Sequence, residues 1–228
     1  MLIKFIEFHG LFKGLRRYYD EIVECILFDL FNGVKTMGIK DPSKYEVNNF
    51  DINSHKHYQP TYNSPLKKTA LFLKNKIKYK NVIIYDLGTG FGKPLIILGK
   101  ILIKSSVENV KLIGVELDPA FKNTFDENLK KIYINQKKIN TSFENIKVED
   151  INFNLIENET TLIIHNKNSF SKKITEENLN KIREIPKTRN CEVFYIFSNP
   201  EFEDIFQEEV IFQNLGWHKN FNINLYKI

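Results

Sequence analysis

Asp86-Leu-Gly-Thr-Gly-Phe-Gly92 decides how this chain folds. It follows a short apolar, β-rich run, Val82-Ile-Ile-Tyr85, and opens into a helical stretch from Pro94 to about Lys104. A strand that ends in Asp-x-Gly-x-Gly-x-Gly and turns directly into a helix has a mechanical meaning. Gly88, Gly90 and Gly92 allow positive φ angles and let a ligand approach the backbone with no Cβ in the way. Pro94 suits a first helical turn, where its missing N–H does no harm. The turn predicts a nucleotide-type ligand lying over the strand ends of an open α/β sheet.

Working outward, strand and helix patterns alternate downstream of the turn. Lys111-Leu-Ile-Gly-Val115 reads as a second strand ending at Glu116, and residues 119–136 as a helix with Asp118 at its N-cap. Ile146-Lys-Val148 reads as a third strand ending in Glu149-Asp150, and Thr161-Leu-Ile-Ile-His165 as a fourth. A helix over 176–185 and a fifth strand, Glu192-Val-Phe-Tyr-Ile-Phe197, follow. The apolar run near Ile211 and the stretch 221–226, on either side of Gly216-Trp217, suit an antiparallel edge. Repeated β-α units with apolar strands predict a doubly wound, mostly parallel sheet covered on both faces. Upstream, residues 11–34 carry apolar positions at helical spacing up to Gly33, and Leu66 to Ile77 do so again. Residues 38–64 between them lack periodicity, and irregular connections of that length are more often functional than idle.

The bulk numbers limit the function classes. The chain has 228 residues, 42% hydrophobic and 27% charged, which is enough to bury a core without disulfide staples. Its two cysteines, Cys25 and Cys191, sit far apart in apolar runs and read as reduced core thiols. No run approaches the ~18 apolar residues of a membrane span, and the N-terminus does not read as a signal peptide. The expectation is a soluble cytoplasmic protein. Net charge is +5, but lysine far outnumbers arginine and the basic residues are scattered, which fits a solvated face better than a nucleic-acid groove. His55-x-His57 offers two imidazoles without a third ligand nearby, so no metal is expected.

The acids around the turn narrow the ligand. The dinucleotide fingerprint is G-x-G-x-x-G; here the glycines fall as G-x-G-x-G with Asp86 two residues ahead. A diphosphate wants bare N–H groups and would be repelled by that carboxylate, whereas the cationic amino end of an amino-acid-bearing ligand would be attracted. Glu116 is placed to accept both hydroxyls of a ribose, and Asp150 to meet an adenine amino group.

Asp86-Leu-Gly-Thr-Gly-Phe-Gly92, Gly114-Val-Glu-Leu-Asp-Pro119 and Val148-Glu-Asp150 resemble the successive motifs of class I (seven-strand) S-adenosylmethionine (SAM)-dependent methyltransferases. Phe28-Asp-Leu-Phe-Asn-Gly-Val-Lys-Thr36 resembles the F-D-x-x-x-G-V-x-T stretch of a small bacterial subgroup, and Tyr58-Gln-Pro-Thr61 its Y-x-P-T motif. The resemblance runs from about Asp29 to the C-terminus. It implies an α/β, Rossmann-like doubly wound sheet with an antiparallel C-terminal edge plus an N-terminal helical extension. Residues 1–64 would form the helix and a cofactor-covering segment, and 65–228 the SAM-binding domain, as one compact unit. It also implies SAM contacts from Gly88, Thr89, Gly90, Gly92, Leu117 and Ile151 beside the three acids, with Thr36, Tyr58 and Thr61 folding over the cofactor.

One stretch departs from the pattern. Many relatives end the fourth strand in an Asn-Pro-Pro-Tyr or Asn-Pro-Phe loop whose asparagine orients an acceptor nitrogen. Here the text is His165-Asn-Lys-Asn-Ser-Phe170, so Asn166 and Asn168 are both candidates for the catalytic role. Asn199-Pro200 follows the fifth strand and either shapes the same rim or makes a turn; His165 reads as a base or as a satisfied core residue. The expected function is a methyltransferase, with a protein lysine side chain as one acceptor and nucleic acid or a small molecule as others. A non-catalytic SAM-binding relative and a nicotinamide-dependent oxidoreductase stay open beside it.

Overall fold

In a computed structural model, the described residues are 3, 6–7, 10–38, 40, 43, 58–153 and 156–228. A seven-stranded sheet organises them. The strands are β1 (Asn81–Leu87), β2 (Asn109–Val115), β3 (Ile139–Glu144), β4 (Thr160–Asn166), β5 (Cys191–Ser198), β6 (Val210–Asn214) and β7 (Ile223–Lys227). Their order is β3-β2-β1-β4-β5-β7-β6. β1 to β5 are parallel, while β7 runs antiparallel between β5 and β6. This is the mostly parallel sheet with an antiparallel C-terminal edge that the alternating pattern predicts.

Both faces are covered, and side-chain alternation assigns each strand residue to one of them. Val82, Ile84, Leu112, Ile163, Phe194 and Ile196 face one core. That core is closed by α3 (Asn63–Lys74), α4 (Lys93–Leu102) and α5 (Lys122–Tyr133). Tyr85, Leu87, Ile113, Leu162, Tyr195 and Phe197 face the other. There α6 (Lys172–Arg183) and α7 (Ile185–Thr188) pack through Ile174, Leu179, Ile182 and Ile185. α4 opens directly from Gly92 with Pro94 in its first turn, as the motif requires. Asp118 caps the next helical segment by accepting from the Ala120 N–H at 3.0 Å.

The N-terminal helix continues from α1 (Leu11–Glu21) through a π-helical turn, Ile22–Ile26, into α2 (Leu27–Asn32). It stops at Gly33, whose φ of 63° is the left-handed conformation of a C-cap. Arg17 donates to the Tyr62 hydroxyl, and Glu24 accepts the Ser64 N–H at 2.7 Å, so buried polar contacts tie this helix to the start of α3.

One element differs from the sequence reading. The third strand is 139–144, whereas Val148–Asp150 is a short 3-10 turn. β3 lies at the sheet edge and is half-exposed, so Ile-Asn-Thr-Ser-Phe-Glu carries polar residues that hide it from a search for apolar runs. Val148 is buried for a different reason: it packs from the turn onto the second core.

Candidate functional site

β1 is flanked by β2 on one side and β4 on the other, so the connections leaving the two halves of the sheet diverge at its C-terminal end. A cavity of about 510 Å³ opens at that switch point. Its floor is Asp86, Gly88 and Thr89. Glu116 and Leu117 beyond β2, and Ile146 and Val148 beyond β3, line one wall. His165 and Lys167 to Phe170 beyond β4 line the opposite wall, with Asn199 beyond β5. Tyr58, Gln59 and Thr61 line it from the N-terminal segment.

The glycine turn is wired inward. Gly88, Gly90 and Gly92 have φ of 73°, 50° and 82°. The N–H groups of Gly88 and Thr89 both donate to the Val115 carbonyl, at 2.9 and 3.0 Å, and that of Gly92 donates to Thr89. The Gly90 N–H donates to Glu116 Oε2 at 3.0 Å. These amides are thus committed inside the protein, which removes the bare N–H cradle a diphosphate needs.

Glu116 is buried, and its other oxygen accepts from Leu117 N–H at 2.9 Å and Asp118 N–H at 3.3 Å. Burial pushes its carboxyl up to about 7 against the hydrogen bonds that lower it. Asp86 is equally buried and accepts from the Thr89 hydroxyl at 2.7 Å. Its second oxygen lies 2.6 Å from His165 Nδ1, and His165 Nε2 lies 2.9 Å from Ser198 Oγ. With Asp86 ionised, Nδ1–H donates to it and Nε2 accepts from the serine hydroxyl. His165 is therefore a buried partner of Asp86 with both ring nitrogens engaged, the arrangement of a satisfied core histidine rather than of a free base.

Residues 36–37, 40 and 58–61 lead to the cavity in a chain of contacts. Asp29 accepts from Thr36 N–H at 2.6 Å, Thr36 Oγ1–H at 2.5 Å and Met37 N–H at 2.9 Å. The Thr36 carbonyl then accepts from the Tyr58 hydroxyl at 2.9 Å. Tyr58 lays its ring against Gly90 and packs on Phe91 and Phe121 with centroids 5.1 Å away. Lys40 pairs its backbone with Tyr58 and its ammonium with Asp118 at 2.5 Å. Lys167 Nζ donates to the Gln59 and Pro60 carbonyls at 3.0 and 2.9 Å. Burial, with Lys93 nearby, brings that ammonium down to about 7.

Most residues singled out in the sequence meet here. Asp86, Gly88, Thr89, Glu116, Leu117, Tyr58, Thr61 and Asn168 line the cavity. Gly90 and Gly92 shape the turn behind it, and Thr36 acts through Tyr58. Asp150 and Ile151 do not reach it: Asp150 is exposed, and Ile151 packs in the second core. The missed β3 explains this, because Ile146, not Asp150, follows the true strand into the cavity. Asn145 also went unread; its amide donates to the Glu116 and Leu117 carbonyls at 3.0 and 2.8 Å. Of the two asparagines after β4, Asn166 is turned away from the cavity. It donates to the Tyr195 hydroxyl at 3.0 Å and accepts from Ser169 N–H at 3.1 Å. His55 and His57 lie outside the described residues, among which no cluster of potential metal ligands occurs. No helix among them is long and apolar enough to cross a membrane.

No protein-family profile and no curated protein sequence matches the chain. Solved structures do. The rRNA methyltransferase AviRa from Streptomyces viridochromogenes matches with a TM-score of 0.50 at 10% identity, over 74% of this chain and 86% of that one. The methyltransferase domain of bacterial CtHen1 matches at 0.48 and 14% identity, over 73% and 99% of the two chains. SMU.472, solved with SAH, matches at 0.45 and 11% identity, over 71% of this chain. The chain spans about half (52%) of the length of SMU.472. At such identities the likeness is one of fold: the seven-strand, Rossmann-like fold of class I methyltransferases.

Proposed function

We propose that this chain, folded as a Rossmann-like methyltransferase, binds SAM in the cavity over β1 and transfers its methyl group to an acceptor. The observation that carries the reading is a glycine turn with its amides committed inward and two buried carboxylates, Asp86 and Glu116, beside it. Such a site repels a diphosphate and suits a ligand with a cationic amino end and a ribose. Asp86, held by His165 and Thr89, faces the amino group. Glu116 accepts from a ribose hydroxyl through the one of its about four lone-pair directions that the Gly90, Leu117 and Asp118 N–H groups leave open. Leu117 and Ile146 supply apolar sides for the adenine, in place of the Asp150 contact expected from the sequence. Tyr58 and Thr61 cover the ligand from the N-terminal segment.

When bound, SAM supplies a methyl group on a sulfonium, which passes to the acceptor by in-line displacement. The protein's task is alignment and exclusion of water. Asn168, whose buried side-chain amide lines the cavity with no hydrogen-bond partner among the described residues, would orient the acceptor. A lysine ammonium as acceptor draws no support from the site. Of the carboxylates in the lining, Asp86 and Glu116 are engaged by hydrogen bonds and Glu201 by Lys219.

Titration calorimetry with SAM and with NAD tests the donor. SAM is expected to bind and NAD not to; the reverse would overturn the reading. Methyl incorporation from labelled SAM into cell-extract fractions tests turnover, and tight binding with no incorporation in any fraction would reduce the protein to a cofactor-binding module.

A pH dependence follows as well. Glu116 accepts a hydroxyl best when ionised, and burial pushes its carboxyl up to about 7. SAM affinity is therefore expected to rise as pH increases through about 7, and Glu116→Gln to flatten that rise. Without ligand the sign for stability is opposite. Between the ordinary value of 4.5 and about 7 the folded state holds a proton that the unfolded state has released, so this residue makes stability fall as pH rises. A pH series of SAM titrations on both proteins checks the first point. An affinity that falls through pH 7 would contradict it.

A further inference from the structure

We infer that the helix formed by residues 11–32 docks its outward face on an anionic lipid surface, lying along that surface rather than crossing it. The helix is amphipathic, yet its apolar face is not the one it buries. The side turned into the protein holds Arg17 and Glu24, buried beside Gly14, Cys25 and Phe28. The apolar positions that recur at helical spacing are turned out. Phe12, Leu15, Tyr19, Ile26 and Leu30 follow one another at intervals of three, four, seven and four residues, with Phe31 beside the last. Phe12, Tyr19, Leu30 and Phe31 leave 64–85% of their surface in water. Single exposed apolar residues are ordinary, but a continuous stripe of them marks a surface that meets a partner. At about 150–250 Å² for an aromatic side chain, Phe12, Tyr19 and Phe31 alone present about 400 Å².

Charge selects the occupant. Lys13 and Arg16 stand exposed at one end of the stripe, and Lys35, Lys100 and Lys131 at the other. Lys100 donates to the Asn32 amide oxygen and Lys131 to the Gly33 carbonyl, each at 2.6 Å, so neutral acceptors gather both ammonium groups at the helix end. None of these four lysines takes part in an ion pair among the described residues. The acids of the helix are buried or half-buried and bound inward. Asp20 accepts from the Trp217 indole, Glu21 from the Tyr62 hydroxyl, Glu24 from Ser64 N–H and Asp29 from Thr36. Glu7, one turn upstream of Leu11, is exposed. A second copy of the helix is a poor match. Antiparallel pairing would bring Lys13 and Arg16 onto the three lysines of the other end, and parallel pairing would set those three against themselves. A bilayer surface of anionic headgroups is the complement of this pattern: apolar side chains enter the acyl boundary, and each cation near the surface adds attraction. Trp217, with Arg16 over its ring at 4.4 Å, extends the edge of the stripe with a side chain suited to the headgroup level.

The test is sedimentation of the full chain with vesicles of phosphatidylcholine alone and of phosphatidylcholine mixed with phosphatidylglycerol. Binding is expected on the mixed, anionic vesicles and is expected to weaken as salt rises. Phe12→Ser/Phe31→Ser is expected to lower the partition coefficient roughly tenfold or more, and Lys13→Gln/Lys35→Gln roughly tenfold. All four side chains are exposed, so unfolding midpoints should match the parent protein and separate lost binding from lost fold. Trp217 is the single tryptophan of the chain, and its emission is expected to move to shorter wavelength on the anionic vesicles. Equal binding to both kinds of vesicle overturns the inference, as does binding indifferent to the Phe12 and Phe31 substitutions, or no binding at all. A dimer by light scattering that Phe12→Ser/Phe31→Ser dissociates would give the face to a second copy, and overturns it too.

Discussion

Replacing Glu116 with alanine is expected to weaken SAM binding by about 10- to 10²-fold. A hydrogen bond to a charged group is worth about 1.5–3 kcal/mol, and the one lone-pair direction the carboxylate has open is assigned to the ribose. The loss is concentrated because Glu116 also organises its surroundings: it accepts the Gly90, Leu117 and Asp118 N–H groups in a buried site. Without it, three donors at the cavity wall need water. Calorimetric titration of the variant checks the magnitude, and far-UV circular dichroism checks that the fold survives. An affinity within threefold of the parent protein would remove the ribose from this end of the cavity and the ligand assignment with it.

Gly90→Ala is expected to abolish cofactor binding and to lower stability together. At φ 50° a side chain is already disfavoured, and a Cβ would lie 2.0 Å from Tyr58 Cε2. Tyr58 is not the flexible end of a long side chain that swings aside. Its hydroxyl is bound to the Thr36 carbonyl, and its ring is wedged against Phe91 and Phe121. Either the ring leaves, which unseats the covering segment, or the turn shifts, which breaks the Gly90–Glu116 bond. A destabilisation of about 1–3 kcal/mol is expected from the strained backbone and displaced packing. Thermal unfolding and SAM titration of Gly90→Ala test this, and the double variant Gly90→Ala/Tyr58→Ala should recover part of the lost stability. No recovery would show that the ring is not what the added methyl meets.

These two residues were legible in the sequence because their signals are local. A glycine three positions past a strand end and an acid at the next strand's end can be read from spacing alone. What escaped depended on contacts between distant positions. β3 is an edge strand with polar residues facing solvent, so its text lacks the apolar run that marked β1 and β4, and the sequence reading brought Asp150 to the cavity where the structure brings Ile146. Asn166 and Asn168 look equivalent on paper. Only the positive φ of Asn168 and the engagement of Asn166 with Tyr195, twenty-nine positions away, separate them. Lys93 reads as an ordinary solvated lysine at a helix start. It is fully buried, donating to the Glu24 carbonyl at 2.6 Å and lying over the Phe28 ring. The helical pattern of the N-terminal extension could not announce a π-turn either, because a one-residue bulge leaves the apolar spacing nearly unchanged.

The lysine between those two asparagines fastens two distant parts of the chain. Lys167 belongs to the loop after β4, yet its side-chain nitrogen is bound to the Gln59 and Pro60 carbonyls at the opposite rim of the cavity. The two halves of the pocket therefore share a fastening. A ligand that moved one side of this fastening would move the other. Thermodynamic reciprocity requires two occupants coupled in this way to change each other's affinity by the same factor.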